Sequence, residues 1–179
     1  LESMRAEKRN VAFNSLVAAV GITTLKIIVG VSTMSLGILS EAAHSGLDLI
    51  AAFVTLISVR VSDKPADAEH QYGHGKVENF SAFIETGLLL LTCIWIVWEA
   101  VRRLSGYHHV QIDPTPAAFG VLFVSMAVDW WRSHRLRKIA QKYDSQALEA
   151  DALHFSTDIF SSGVVALGLA MVWAGHNWH

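Results

Sequence analysis

Five apolar runs of membrane-spanning scale decide what this chain can become. They cover roughly residues 10–31, 36–59, 77–101, 116–131 and 145–173. A helix rises about 1.5 Å per residue, so about 20 apolar residues cross a hydrocarbon core about 30 Å thick. The runs predict an all-α, polytopic bundle of transmembrane helices. With 52% hydrophobic residues in 179, the chain is too apolar and too blocky for an ordinary soluble domain. Its net charge of −2 excludes a nucleic-acid binder driven by bulk charge. Cys93 is the one cysteine, so neither a disulfide framework nor a thiolate metal cage is available. The first run is long and is preceded by Arg5, Lys8 and Arg9, which reads as a retained helix and not as a cleavable signal peptide. Leu1, Glu2 and Ser3 precede Met4 and read as a cloning scar, which leaves residues 4–179 as a transmembrane domain.

Positive charge sets the expected orientation. With the N-terminus in the cytoplasm, that side holds Arg5, Lys8, Arg9, Arg60, Lys64, Lys76, Arg132, Arg135, Arg137, Lys138 and Lys142. The far side holds Arg102 and Arg103. Cytoplasmic loops carry the excess of Lys and Arg, so eleven against two fixes the direction. Lys26 falls inside the first run and is expected to snorkel to the outer headgroups, with internal pairing as the alternative. The connections are a short turn near Gly30–Thr33, a His-rich stretch over Arg60–Lys76, a segment over Arg102–Thr115 and a basic stretch over Arg132–Asp144.

Inside two of the runs stands the same pattern, His44-x-x-x-Asp48 and His154-x-x-x-Asp158. Ionisable groups are costly in hydrocarbon and mark ion paths, relays or ligand sites. A spacing of four puts each His and Asp on one helix face. Asp48 lies twelve residues beyond Leu36 and Asp158 thirteen beyond Ser145, so both sit about 18–20 Å along their helices. Those helices run in opposite directions, and the depths match as one shared site requires. Two imidazoles and two carboxylates suit a tetrahedral divalent ion such as zinc. The bland alternative is polar contacts that glue helices together. Both ligand types bind metal only when deprotonated, so protons and metal compete for the same groups.

A second constellation, Asp67-x-x-His70-x-x-x-His74, occupies the second connection. It offers one carboxylate and two imidazoles, with water or another group as a fourth ligand. A solvated polar loop is the plain alternative. Glu41 and Asp151 lie one turn before the paired motifs and suit supporting or proton-carrying roles, or helix-end solvation for Asp151. His108, His109, His134, His176 and His179 read as surface or terminal residues. Trp95, Trp98, Trp130, Trp131, Trp173 and Trp178 read as interfacial anchors. Gly21, Ala42, Ala43, Gly46, Ala51, Ala52, Ser161, Ser162 and Gly163 permit close helix approach.

Together these residues resemble the cation diffusion facilitator family. Tyr72-Gly73-His74-Gly75-Lys76-x-Glu78 is similar to that family's loop between its second and third helices. The string Asp151-Ala-Leu-His154-x-x-x-Asp158 is similar to its fifth helix, and His44-x-x-x-Asp48 to its second. The resemblance implies a proton-coupled antiporter, not an enzyme, that exports divalent metal from the cytoplasm as a homodimer. Its transport site would be His44, Asp48, His154 and Asp158. Its loop metal site would be Asp67, His70 and His74, and Lys76 would fall at a charge interlock near the cytoplasmic membrane surface. Zinc is the first choice of ion, with Cd2+, Fe2+, Mn2+, Co2+ and Ni2+ as further candidates. The bacterial inner membrane is the expected location, with lipid, metal cations and protons as partners. The family pattern has six membrane helices and then a soluble domain. Five spans are present here, so the sixth span and the soluble domain are expected to lie outside this chain. An intramembrane metal sensor or metalloenzyme is the rival reading.

Overall fold

The structure is a computed structural model that describes residues 2–34, 36–104 and 116–176. Five α-helices account for nearly all of it: α1 (Glu2–Ser32), α2 (Leu36–Ser62), α3 (Lys76–Leu104), α4 (Pro116–Tyr143) and α5 (Gln146–His176). Of these, α1, α2 and α3 contain stretches long and apolar enough to cross a bilayer. Residues 102–104 of the third connection are the last of α3, and its remainder, with His108 and His109, lies outside the described residues, as do Trp178 and His179.

Two helix ends are set by single residues. Met34 (φ 52°) and Asp144 (φ 51°) take the left-handed conformation, which breaks the helical ladder and reverses the chain within a few residues. The resulting antiparallel pairs, α1 with α2 and α4 with α5, make the most extensive helix contacts, and α1 packs on α4 to join them. Small residues allow the close approach: Ala12, Ala19, Ala42, Ala51 and Ala52 are all buried. At Gly30 an added Cβ would meet Leu39 Cδ2 at 2.9 Å. Gly21 and Gly46 serve no such contact, since a Cβ there would find nothing within 4 Å.

The interior is as polar as it is oily. Among the described residues 19 apolar and 17 polar or charged residues are buried. Meanwhile Phe13, Val17, Ile27, Ile50, Phe83, Trp98 and Phe160 face outward. That inversion is what lipid as solvent favours, because hydrocarbon outside offers polar groups nothing. The apolar part of the core gathers at one end, where Val11, Ala12, Leu56, Val59, Leu136, Ile139, Ala147, Leu148 and Phe155 pack together.

Three expectations change. The basic stretch Arg132–Asp144 is helix through Tyr143 and not a connection. Arg132, Ser133, Leu136, Ile139 and Ala140 are buried at helical spacing, so tertiary packing carries α4 on through the basic stretch. Lys26 does not snorkel. Its ammonium is buried, 2.7 Å from Ser45 Oγ and 3.3 Å from Glu41 Oε2. Asp151 is not solvated at a helix end either, being fully buried with Ser15 Oγ 3.5 Å from its Oδ2.

Candidate metal site

The repeated motif converges. Asp48 is twelve residues into α2 and Asp158 twelve into α5, and these antiparallel helices bring the four side chains to one depth. His154 Nε2 lies 3.1 Å from Asp48 Oδ1 and 3.5 Å from Asp158 Oδ2. His44 Nε2 lies 3.8 Å from Asp158 Oδ1 and 4.0 Å from Asp48 Oδ1. Each imidazole therefore addresses both carboxylates. His44, Asp48 and Asp158 offer three donor atoms mutually within 4.8 Å. His154 closes the set through its two carboxylate contacts. In a tetrahedral site with bonds of about 2.0–2.2 Å, neighbouring donors stand about 3.3–3.6 Å apart. The observed spacings bracket that edge, so a small contraction would seat an ion.

Unpartnered atoms strengthen the fit. Asp158 Oδ2 and His154 Nδ1 are buried and have no hydrogen-bond partner. A buried carboxylate oxygen without a donor is costly, and a cation among these four groups would relieve it. Beside the site is a cavity of about 10 Å³ lined by Thr23, Ser45, Asp48, Asp129 and Arg132. That is room for about one water, and it leads from Asp48 to Asp129.

The surroundings supply charge that sequence patterns did not announce. Arg132 is buried, with Nη1 3.2 Å from Asp129 Oδ1 and Nε 3.2 Å from Ser15 Oγ. Its guanidinium carbon lies 3.4 Å from the centre of the Phe155 ring, next in sequence to His154. On α3, Glu85 accepts hydrogen bonds from Thr55 and Ser81. Glu41 pairs with Lys26, which also donates to Ser45 beside the site.

The loop cluster also assembles. Asp67 Oδ1 accepts the backbone N–H groups of His70 at 2.7 Å and Glu69 at 3.1 Å, an Asx turn. Gly73 takes φ 77°, a conformation glycine adopts without strain. The turn brings the His70 and His74 rings to 4.4 Å between centroids. His70 Nδ1 is then 3.1 Å from Asp67 Oδ1, and His74 Nε2 is 3.4 Å from Asp67 Oδ2. The His70 backbone N–H is the main reason the Asp67 carboxyl is held below the usual carboxylate range. Lys76 is exposed at the start of α3, and His134 is exposed and stacked against Trp130.

This arrangement meets a known one. The family described as cation efflux transmembrane domain matches residues 12–179. The chain belongs to the cation efflux family. That family comprises transport domains and not enzymes, and membership makes this an integral membrane protein. Among curated relatives, the cation-efflux pump FieF of Salmonella arizonae is 29% identical over 166 residues, covering 90% of this chain and 52% of the relative. The cation-efflux pump FieF of Yersinia pestis is 31% identical over 151 residues, covering 84% of this chain and 50% of the relative. This cation efflux domain thus spans about half the length of the curated relatives it matches.

Proposed function

We propose that this domain is the membrane half of a proton-coupled exporter of divalent metal, with zinc as the first cargo and His44, Asp48, His154 and Asp158 as its transport site. The observation that carries the reading is the contact of each imidazole with both carboxylates across two antiparallel helices. Two nitrogen and two oxygen donors match zinc in number and type. Cadmium, iron, manganese, cobalt and nickel fit the same donors less selectively, and affinity order alone does not choose among them.

The same contacts suggest how exchange proceeds. The 3.1 Å contact of His154 Nε2 with Asp48 Oδ1 is a hydrogen bond only with a proton between the two atoms. The metal needs the same nitrogen as a bare lone pair. Ion and proton are thus alternative occupants of one position, and a proton arriving from the far side displaces the ion toward that side. The working unit is proposed to be a homodimer in the bacterial inner membrane, with its N-terminus in the cytoplasm. Asp67, His70 and His74 form a second, solvent-facing metal site on the cytoplasmic side.

The direct test uses the full-length protein in proteoliposomes. An imposed pH gradient is expected to drive zinc accumulation, and collapse of the gradient with a protonophore is expected to stop it. Zinc binding with no flux under any gradient would reduce the domain to a sensor.

The loop site carries its own pH expectation. Asp67 stays ionised through mildly acidic solution because its folded pKa lies below the ordinary value. Protons compete with zinc for the remaining donors, so zinc is bound at high pH and released as pH falls. In a protein whose transport site is removed by His154→Ala, Asp67→Asn is expected to weaken loop binding and to move release to higher pH at a fixed zinc concentration, because a weaker site loses its ion to fewer protons. Unchanged loop affinity and an unmoved midpoint would contradict the assignment.

A further inference from the structure

A single ammonium holds both ends of the metal loop. Lys8 on α1 is 6% exposed. Its Nζ lies 3.0 Å from Asp63 Oδ1, just past the end of α2, and 2.8 Å from Glu78 Oε1, in the first turn of α3. Asp63 precedes Asp67 by four residues, and Glu78 follows His74 by four. The loop that carries the second cluster is therefore closed at its base by one cation. Ser62 reinforces the closure by donating to Glu78 Oε1 at 2.8 Å, and Ser58 donates to the backbone carbonyl of Val77 at 3.1 Å.

The base of the loop is also tied to the transport helix. Ser145 Oγ donates to the other oxygen of Glu78 at 2.5 Å. Ser145 sits directly before α5, and its carbonyl accepts the N–H of Glu149 at 3.1 Å, so it occupies the N-cap position. From there His154 is nine residues and Asp158 thirteen along the same helix, about 14 and 20 Å away. Helix, serine, glutamate, lysine and loop make one continuous chain of short polar contacts. Among those links, only Lys8 bonds to both flanks of the loop.

We infer that Lys8 is a positioning residue that couples the two metal sites: a cation captured by Asp67, His70 and His74 tightens binding at His44, Asp48, His154 and Asp158. This rests on the proposed function, which assigns metal to both clusters. The physical ground is shared ordering. A metal fixes the three loop ligands in one geometry and so fixes the loop ends. Lys8 and Glu78 pass that constraint to the start of α5, and the second ion then meets a helix already placed. By linkage the effect is reciprocal, so transport-site metal must tighten the loop site by the same factor.

The test titrates zinc into the full-length protein in nanodiscs and measures transport-site affinity with the loop intact and with Asp67→Ala/His70→Ala. The ratio of the two affinities is the coupling, and the expected value is at least about fivefold. Ser145→Ala, which cuts the link to α5, is expected to bring the ratio near one, and Lys8→Met to lower it by more than half, since Ser62 and Ser58 still join the flanks. Lys8→Arg is expected to keep it. Loss of stability without loss of linkage would not change the ratio, so a merely structural Lys8 is told apart. If Lys8→Met does not fold, the Ser145→Ala ratio decides. A ratio near one in the parent, or an undiminished ratio in the variants that cut the chain, overturns the inference. Absence of saturable zinc at both clusters overturns the proposed function and the coupling with it. Two intact sites without linkage overturn the coupling alone.

Discussion

Asp48→Ala in the full-length protein is expected to lower zinc affinity at the membrane site by more than about 100-fold and to reduce gradient-driven uptake to the level of empty liposomes. Groups that merely orient metal ligands cost about 10–100-fold when removed, and Asp48 is proposed as a ligand. It is the 3.1 Å partner of His154 Nε2 and lies 4.0 Å from His44 Nε2. Without it the site retains one carboxylate and two imidazoles, a set with one negative charge in place of two in its metal-binding form, and an open coordination position. The change also removes the acceptor that aims His154, whose other ring nitrogen is buried without a partner. Both losses act on one ion, so Asp48→Ala combined with His154→Ala is expected to do little more harm than either alone. Zinc titration and flux assays on the three variants check this. Independent, additive losses would mean that the two residues do not share an ion.

The residues that converge in the membrane were legible because their chemistry is out of place there. A histidine and an aspartate four apart in an apolar run announce themselves, and the second copy at matched depth fixes the partner. The all-helical class was equally plain, and α1, α2 and α3 follow from apolar length alone, which needs no tertiary information. What failed to show was the electrostatics that join distant segments. Lys8 pairs with Glu78 at a separation of 70 residues, and Arg132 meets Ser15 at 117. Neither Lys8 nor Arg132 stands in a motif, and a lysine or arginine near a span end reads as a topology marker. The α4 extension was hidden for the same reason. Arg135, Arg137, Lys138 and Lys142 suggest a solvated stretch, yet no Gly or Pro interrupts residues 132–143. Arg, Leu, Lys and Ala there are good helix formers. The buried spacing of Leu136, Ile139 and Ala140 is helical in the sequence too, once the charges are set aside. Lys26 misled because depth was counted along α1 alone. Glu41 and Ser45 on the neighbouring helix offered it partners closer than the headgroups.

Arg132→Met is expected to destabilise the domain by about 3–5 kcal/mol, the scale for leaving a buried charge without its partner. Arg132 itself is 2% exposed, and the side chain of Asp129 is 14% exposed. Methionine replaces the aliphatic stem and keeps a contact with Phe155, so packing loss is small beside the electrostatic effect. What it cannot replace is the positive charge facing Asp129 and the donor to Ser15, whose own hydroxyl lies 3.5 Å from Asp151. The polar line from α1 through α4 to α5 would lose its only described cation at that point. If charge is the cause, Arg132→Met/Asp129→Asn restores more than half of the loss, because the unpaired carboxylate goes with its partner. If packing is the cause, the double variant is no better than the single one. Thermal unfolding in detergent across the four members of this cycle separates the two. The outcome bears on transport as well, since Arg132 and Asp129 line the small cavity that reaches Asp48. A variant with restored stability and altered zinc affinity would show that this buried pair sets the electrostatic potential felt by the ion.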